Sequence, residues 1–189
     1  MPFCFRGDAV NLADVAIDTE RLTLTAITAE FTTAIFEHFT PEITRFMLPA
    51  PPTSITDTEE FVRSAITALH TGEDLHLTIT DRSNAEFLGL CGLHTRNLER
   101  RPELGIWLKK TAHRNGYGLE AITALKHWAD KHLIYEYVIY PVDRRNTASC
   151  RIPVALGGKV IGEKKETSMG GFELDELVYA IERVPPNGA

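Results

Sequence analysis

A basic segment that contains two glycines lies just before a predicted helix in the second half of the 189-residue sequence. It reads His113-Arg114-Asn115-Gly116-Tyr117-Gly118-Leu119 and follows an apolar run typical of a strand. The N–H groups of a helix's first turn have no partner within the helix, and glycine lets a backbone approach a phosphate closely. Arg114 adds a bidentate donor. The segment therefore predicts an anion site, and a glycine turn that binds nothing is the alternative.

The anion at such a site could belong to a dinucleotide. A dinucleotide site requires the pattern G-x-G-x-x-G and an acidic residue about 20 positions later, at the end of a second parallel strand. Ala121 stands at the third glycine position, and the acidic candidate, Glu136, lies inside a predicted strand. The strands before the loop are predicted to be antiparallel. These features count against a dinucleotide.

A second segment with chemical potential, residues 143–149, also follows a predicted strand and opens a helix. Asn146 and Ser149 are three residues apart, so both side chains can face one side of the first turn. An amide and a hydroxyl there could bind an amide-bearing tether and a leaving thiolate. The alternative is that Asn146 only caps the helix and that Ser149 is an ordinary first-turn residue.

The elements that position these segments follow from apolar periodicity and turn residues. The predicted strands cover residues 21–27, 75–80, 87–93, 103–109, 135–140, 159–165 and 172–181. The predicted helices cover residues 28–39, 57–70, 115–131 and 146–156. This order predicts a mixed α/β domain with one central sheet over residues 21–184, preceded by an N-terminal leader of residues 1–20.

The second predicted helix has its own pattern. Thr56 is expected to start it, and its buried stripe is predicted to consist of Phe61, Ala65, Ile66 and Leu69.

Composition excludes several classes of protein. The net charge of −6 argues against broad nucleic-acid binding, which requires a basic surface. The cysteines Cys4, Cys91 and Cys150 are an odd number and form no C-x-x-C pair, so we expect no disulfide framework, no metal site and a cytoplasmic location. No apolar run is long enough to cross a bilayer, and the N-terminus does not look like a secretory signal, so no membrane partner is expected.

Four segments in this order and spacing resemble the GNAT superfamily of N-acetyltransferases, and most of all its RimJ/RimL group: residues 89–94, 103–108, 113–121 and 146–149. The similarity extends over about residues 20–183. The family's loop pattern (Q/R)-x-x-G-x-(G/A) is matched by residues 113–118, and Leu156-Gly157 matches the later part of the signature. The resemblance implies an α+β fold: a mixed, mostly antiparallel sheet of six to seven strands, splayed at the coenzyme A site and flanked by about four helices.

The resemblance also implies an activity. The expected reaction is direct attack by a primary amine on acetyl-CoA, with the α-amine of a protein N-terminus as an acceptor of the RimJ/RimL group. A small-molecule amine (a polyamine, an amino acid or a drug) is the alternative acceptor, and a non-catalytic acyl-CoA sensor is the alternative function. The implied partners are acetyl-CoA and the amine, and a homodimer is compatible with the group.

Site residues carried over from the family lie in three places. The loop of residues 113–119 would hold the pyrophosphate, and the backbone of Ile106, Trp107 and Leu108 would pair with the pantetheine. Asn146 would hydrogen-bond the pantetheine, and Ser149 would lie near the sulfur as the acid.

The sequence departs from the family pattern at three positions. His113 replaces the usual Gln or Arg, and Gly158 stands where an aromatic residue usually follows the glycine. Pro153 takes the place of the tyrosine that protonates the thiolate in many members of the family, and it also frees the carbonyl of Ser149 within the helix.

The acceptor side is less specific. Glu103, Glu166 and His94 are the candidate bases, and each is alternatively an exposed residue at a sheet edge. Arg45, Phe46 and Met47 are expected to line the acceptor pocket together with His94 and the hairpin of residues 166–172. Cys91 and Cys150 are predicted to be structural, because neither has a neighbouring base.

Overall fold

The computed structural model describes residues 2–95 and 100–184. The strands of this part are β1 (Ala16–Asp18), β2 (Leu22–Ala26), β3 (Asp74–Asp81), β4 (Phe87–His94), β5 (Glu103–Leu108), β6 (Tyr137–Asp143), β7 (Lys159–Thr167) and β8 (Glu173–Glu182). Its α-helices are α1 (Thr32–His38), α2 (Pro41–Thr44), α3 (Ile55–Thr71), α4 (Tyr117–His132) and α5 (Thr147–Ala155). None of the helices in these two stretches has the length and apolar character needed to cross a bilayer.

The eight described strands form one sheet in the order β1-β2-β3-β4-β5-β6-β8-β7. All neighbours are antiparallel except β5 and β6, which are parallel and pair at one position, Glu103 opposite Ile139. Beyond this pair the two strands separate, and the sheet opens into a wedge. The predicted mixed, mostly antiparallel and splayed sheet is thus confirmed, with one strand and one helix more than expected.

The additional strand, β1, belongs to the N-terminal segment that was expected to be a leader. In the described residues 2–20, β1 pairs with β2, and the side chains of Phe3, Leu12 and Val15 are buried in the core. The segment is therefore part of the packed domain rather than a leader to it. Its apolar residues are too scattered to form a local period, and only contacts with distant parts of the chain bury them.

Helix α3 begins earlier than predicted, and its buried face matches the predicted stripe only in part. Ser54, not Thr56, caps it, in a capping box with Asp57. The buried positions are Thr58, Val62, Ala65 and Leu69, whereas Phe61 is 40% exposed. The ring of Phe61 instead stands edge-on to the ring of His76, with the ring centroids 5.6 Å apart. The predicted stripe is confirmed at Ala65 and Leu69 and was wrong at Phe61, because an aromatic residue that lines a cavity looks like a core residue in sequence.

Strand β6 also starts two residues later than predicted. Tyr135, assigned to the strand from its sequence pattern, is buried and donates a hydrogen bond to Asp130 at the end of α4. Lys126 lies one helical turn before Asp130, and its ammonium group is 2.8 Å from the carboxylate. Lys126 and Asp130 thus satisfy each other's hydrogen-bonding groups inside the protein. Tyr135 adds a further hydrogen bond to this polar network of α4 instead of pairing as a strand residue.

Gly89 permits the close approach of β4 and β5 at the open end of the wedge. A Cβ atom at this position would lie 2.2 Å from the backbone oxygen of Trp107 and 2.8 Å from the Cα of Leu108. Both are backbone atoms, which cannot turn aside as a side chain can. The φ angle of Gly89, +155°, is also one that other residues rarely adopt.

We predict that Gly89→Ala lowers the free energy of unfolding by about 3 kcal/mol, because β5 must move or the backbone must strain. Urea denaturation of the variant measures this loss. Gly162→Ala on β7 is the matched control, since a Cβ there meets no atom within 4 Å. Equal stability of the two variants would contradict the role given to Gly89.

Candidate active site

A cavity of about 560 Å³ occupies the wedge between β5 and β6. Aromatic rings line one part of it, and carboxyl groups line another. The rings include those of Phe39, Phe46, Phe61, Trp107 and Tyr140, and the carboxyl groups include those of Glu103, Glu166 and Glu176. An apolar cavity with a few convergent polar groups is the usual form of a ligand site.

The backbone of β5 forms one wall of the wedge. Within the described part of the chain its pairing with β6 ends at Glu103, so residues 105–108 present an unpaired strand edge on that side. Such an edge can bind an extended amide-bearing chain through main-chain hydrogen bonds. The ring of Trp107 packs against the rings of Phe39 and Phe87, with centroids 4.9 Å and 5.8 Å away, and this contact holds the strand in place.

The glycine-containing loop lies at the far end of β5. Arg114 and Gly116 have φ angles of +64° and +79°, and Gly116 is the N-cap of α4 without contributing a side chain. The first-turn N–H groups of α4 are therefore available to an anion. Residues 113–116 are exposed. His113 contacts the backbone oxygen of Leu108 through Nε2 at 2.9 Å, which ties the loop to the strand.

Arg21, which the sequence analysis did not single out, holds this loop in place. Its guanidinium donates to the backbone oxygen of Asn115 at 2.9 Å, lies 4.7 Å from the ring centroid of Tyr117 and is 2.6 Å from the carboxylate of Glu120. Burial by itself would raise the pKa of Glu120, but hydrogen bonds from Thr19 and Arg21 outweigh burial and lower this pKa. Arg21 stands at the start of a predicted strand, where an exposed arginine carries no local signal of such a role.

Gly118 brings the helix and the strand together. A Cβ atom there would lie 3.3 Å from Ile152, 3.8 Å from Leu108 and 3.9 Å from Ile106. The start of α4, the end of β5 and α5 thus meet at one point. An exposed loop of N–H donors and an arginine, next to an unpaired strand edge, fits the pyrophosphate and the pantetheine of coenzyme A.

Asn146 and Ser149 lie at the start of α5, on the opposite side of the wedge from β5. Asn146 is the N-cap, and its Oδ1 accepts a hydrogen bond from the backbone N–H of Ser149 at 3.3 Å. Asn146 therefore caps the helix, which both expectations for this residue allow. Both side chains also line the cavity, so capping leaves the Asn146 amide nitrogen as a donor toward a ligand.

Ser149 has a partner that the sequence analysis missed. Its Oγ is 2.8 Å from the Oη of Tyr140, which comes from β6 and is 2% exposed. Burial raises the pKa of Tyr140 to about 12. No motif links two hydroxyl residues nine positions apart across a strand and a helix.

Two of the departures from the family pattern are structurally linked. Pro153 lies inside α5, and its backbone oxygen accepts a hydrogen bond from the N–H of Gly158 at 2.8 Å. A Cβ atom at Gly158 would lie 2.7 Å from that same oxygen, which explains why no aromatic residue stands there.

Three carboxyl groups meet at the cavity, two of which were predicted. Glu103 and Glu166 were candidate bases; Glu176 on β8 was not, and it is 8% exposed. Burial and the nearby charges of Glu166 and Glu103 raise the pKa of Glu176 to about 7, although Lys164 opposes the shift. Lys164 binds Glu166 directly, at 2.6 Å. A signal for Glu176 existed in the sequence, since it alternates with Leu174 and Val178 on an otherwise apolar face.

His94 faces the cavity as part of a second polar group. Its partner in the sheet on one side is Glu103, and on the other side its Nδ1 is 3.6 Å from the carboxylate of Asp74. The rings of His94 and His76 have centroids 4.8 Å apart. Gly92 makes room for the ring, because a Cβ there would lie 2.8 Å from it. Burial by itself would raise the pKa of Asp74, but the neighbouring His94 and His76 outweigh burial and lower this pKa.

The expected acceptor loop covers part of the cavity. Phe46 and Met47 line it, whereas Arg45 does not and instead stacks on Phe46, with its guanidinium 5.2 Å from the ring centroid. The N–H of Met169 donates to the backbone oxygen of Leu48 at 2.8 Å. This hydrogen bond joins the loop, whose Leu48 lines the cavity, to the turn between β7 and β8.

The two cysteines near the site have thiols with raised pKa values. Burial raises the pKa of Cys91, and burial together with the charge of Asp143 raises the pKa of Cys150. Both thiols therefore stay protonated at neutral pH, which is consistent with direct attack on the thioester rather than a covalent intermediate.

Comparison with known proteins identifies the family. The family model that describes the acetyltransferase (GNAT) domain matches residues 21–159 of this sequence, which is more than half of the chain. No functionally curated protein matched the chain.

Solved structures share the fold. RimL, a ribosomal L7/L12 alpha-N-protein acetyltransferase in complex with coenzyme A, superposes with a TM-score of 0.79 at 18% identity, over 89% of this chain and 98% of that one. An acetyltransferase from Salmonella typhimurium that modifies the N-terminal serine of 50S ribosomal subunit protein L7/L12 gives 0.76 at 18% identity, over 89% and 99%. A GNAT-family acetyltransferase from Bacillus anthracis gives 0.77 at 20% identity, over 89% and 99%.

The splayed sheet, the loop at the start of α4 and the match of the family model agree with one another. The chain belongs to the GNAT family of acetyltransferases, which use acetyl-CoA as the acyl donor.

Proposed function

We propose that this protein is an N-acetyltransferase that moves an acetyl group from acetyl-CoA to the α-amine of a protein N-terminus, by direct attack of the amine on the thioester. The observation that carries the proposal is the meeting of three features at one cavity. These are the unpaired edge of β5, the Asn146 and Ser149 side chains and the buried carboxyl of Glu176.

The loop of residues 113–119 and the edge of β5 are the donor side of the proposed site. Arg114 and the first-turn N–H groups of α4 bind the pyrophosphate, and the backbone of residues 106–108 pairs with the pantetheine as a neighbouring strand would. The Asn146 amide donates to a carbonyl of the same chain. A backbone N–H near Trp107 stabilises the negative charge that develops on the acetyl oxygen.

Glu176 is the proposed base. An amine attacks only when it is neutral, so the ammonium form must first lose a proton. A carboxyl with a pKa of about 7 is close to the α-amine, whose pKa is about 8, and far from lysine at about 10.4. The match supports an N-terminal α-amine as acceptor. Glu166 and Glu103 contribute by raising the pKa of Glu176, and they attract the cationic acceptor.

Ser149 is the proposed acid. As the carbon–sulfur bond breaks, the electron pair goes to sulfur, and the Ser149 hydroxyl provides the proton that makes the thiol. The ammonium loses two protons in all. The first, taken by Glu176, returns to the Ser149 oxygen through water, and the second, lost from nitrogen when the tetrahedral intermediate collapses, goes to bulk water, so the protein is restored.

The similarity to the L7/L12-modifying proteins supports a protein acceptor, but one feature favours a second candidate. The loop that contains Phe46, Met47 and Leu48 lines a cavity with aromatic walls and is tied to the turn between β7 and β8 by the hydrogen bond between Leu48 and Met169. A compact amine would enter such a space more readily than a polypeptide. A small-molecule amine is therefore the alternative acceptor. The sensor alternative is disfavoured by the buried base, which simple binding of acyl-CoA does not require.

The three cysteines are free thiols, and the proposed location of the reaction is the cytoplasm. A homodimer stays a prediction.

We predict thiol release from acetyl-CoA with a peptide that has a free N-terminus, and none with the same peptide N-acetylated and carrying an internal lysine. Polyamines, amino acids and aminoglycosides form the comparison set. Ser149→Ala should lose turnover while still binding coenzyme A, and Asn146→Ala should lose both turnover and affinity. Turnover of small amines alone would favour the second candidate, and binding of coenzyme A without turnover of any amine would favour the sensor.

We predict that Glu176→Gln lowers kcat/KM by on the order of 100-fold, because the base is lost. The wild-type rate should rise with pH to a plateau above about 7, since Glu176 accepts a proton only when it is ionised. The pH profile of thiol release measures both effects. Glu166→Gln should move the rise to lower pH, because it removes a charge that raises the pKa of Glu176. Exposed Glu182→Gln, on the same strand, is the control; a profile unchanged by Glu176→Gln would refute this base.

Glu176→Gln, which should lower the activity, should raise the stability of the folded protein. The pKa of Glu176 is higher in the folded protein than in the unfolded chain, so stability is lost as the pH rises from about 4.5 through about 7. Glutamine does not ionise, and Glu176→Gln should therefore be more stable than the wild type by on the order of 2 kcal/mol at pH 8. Urea denaturation at pH 5 and pH 8 tests this. A gain that is the same at both values would contradict the assignment.

A further inference from the structure

We propose that Tyr140 is a positioning residue that holds the Ser149 hydroxyl so that its proton points at the sulfur of coenzyme A. The proposal rests on the proposed function, in which Ser149 is the acid. It adds a second hydroxyl, from a different element, in a chain that has Pro153 where a tyrosine acid would otherwise stand on α5.

The geometry of the pair is set by two elements that the wedge brings together. Tyr140 lies in the middle of β6, with Tyr179 of β8 directly opposite it in the sheet. Ser149 lies in the first turn of α5, where the bond from its N–H to the Asn146 side chain fixes the backbone. The two oxygens are 2.8 Å apart, and both side chains line the cavity.

The direction of this hydrogen bond decides what Ser149 can do. A phenol is a stronger acid than an alkyl alcohol, so Tyr140 is the natural donor and the Ser149 oxygen the acceptor. A serine hydroxyl has one proton and two lone pairs. If one lone pair accepts from Tyr140, the proton of Ser149 is left to point elsewhere, toward the open cavity.

Burial keeps Tyr140 in this role. The side chain is 2% exposed, and burial raises its pKa to about 12, so it remains a donor at every pH at which the enzyme would work. Tyr140 keeps its proton throughout the reaction. Water delivers the proton from Glu176 to the Ser149 oxygen as Ser149 gives its own proton to the thiolate, so no free alkoxide forms. The hydrogen bond from Tyr140 stabilises the partial charge that develops on the serine oxygen in this step.

The proposal assigns a separate task to each residue around Ser149. Asn146 fixes the backbone of the first turn, Tyr140 orients the hydroxyl, and Ser149 itself contacts the sulfur. Removing the Tyr140 hydroxyl should therefore slow the chemical step without weakening the binding of acetyl-CoA.

The experiment is a double-mutant cycle on the single-turnover rate of thiol release. We expect Tyr140→Phe, which keeps the ring, to slow this rate by about tenfold, with the KM for acetyl-CoA and the Kd of coenzyme A unchanged. Ser149→Ala should slow it further. The double variant should be no slower than Ser149→Ala alone, because Tyr140 acts only through Ser149.

Tyr179→Phe is the matched control, since it removes a hydroxyl from a buried tyrosine next to Tyr140 in the sheet, and it should leave the rate unchanged. Thermal denaturation of each variant separates a rate effect from unfolding. A wild-type rate for Tyr140→Phe, or a tenfold loss that recurs in the Ser149→Ala background, would overturn this inference while leaving the proposed function intact. A Ser149→Ala variant with the wild-type rate would overturn the acid and the inference together, and a wild type that acetylates no amine would overturn the proposed function and this inference with it.

Discussion

The sheet changes character where β5 meets β6, and the rest of the site depends on this change. All other neighbouring strands in the described part of the chain are antiparallel, whereas β5 and β6 are parallel and pair only at Glu103 and Ile139. β5 is held along its length by β4, and β6 is held by β8, so each half of the sheet can keep its own twist. The wedge between them is therefore a consequence of strand pairing rather than of a missing side chain.

The wedge brings together carboxyl groups that water would surround in the unfolded chain. Glu176 is buried there beside Glu166 and Glu103, and the ammonium of Lys164 offsets only part of the resulting charge. In an apolar surrounding this arrangement disfavours ionisation and costs the folded state stability above neutral pH. The same cost produces a carboxyl that can exchange a proton near pH 7, which is the condition for acid–base chemistry. Stability and proposed activity thus oppose each other at one residue.

Local patterns predicted much of the fold. Helix α4, the hairpin of β3 and β4, and α5 were expected close to their observed positions, because each has a period or a cap that neighbouring residues supply. The errors occurred where distant contacts decide the outcome. Leu12 and Val15 are buried without any local period, Phe61 faces a cavity from within a helical stripe, and Tyr135 is recruited by α4 instead of β6.

The sequence by itself determined the order of seven strands and four helices, without β1 and α2, as well as the glycine-containing loop before α4 and the three-residue spacing of Asn146 and Ser149. These features depend on residues within about one helical turn of each other, where backbone geometry alone sets the distances. Only the tertiary structure decided which of the three glutamate carboxyls at the cavity is buried, and which hydroxyl lies beside that of Ser149. A pKa and a hydrogen bond depend on distances of a few ångströms between side chains, and here those side chains come from strands and helices that meet only once the sheet has formed.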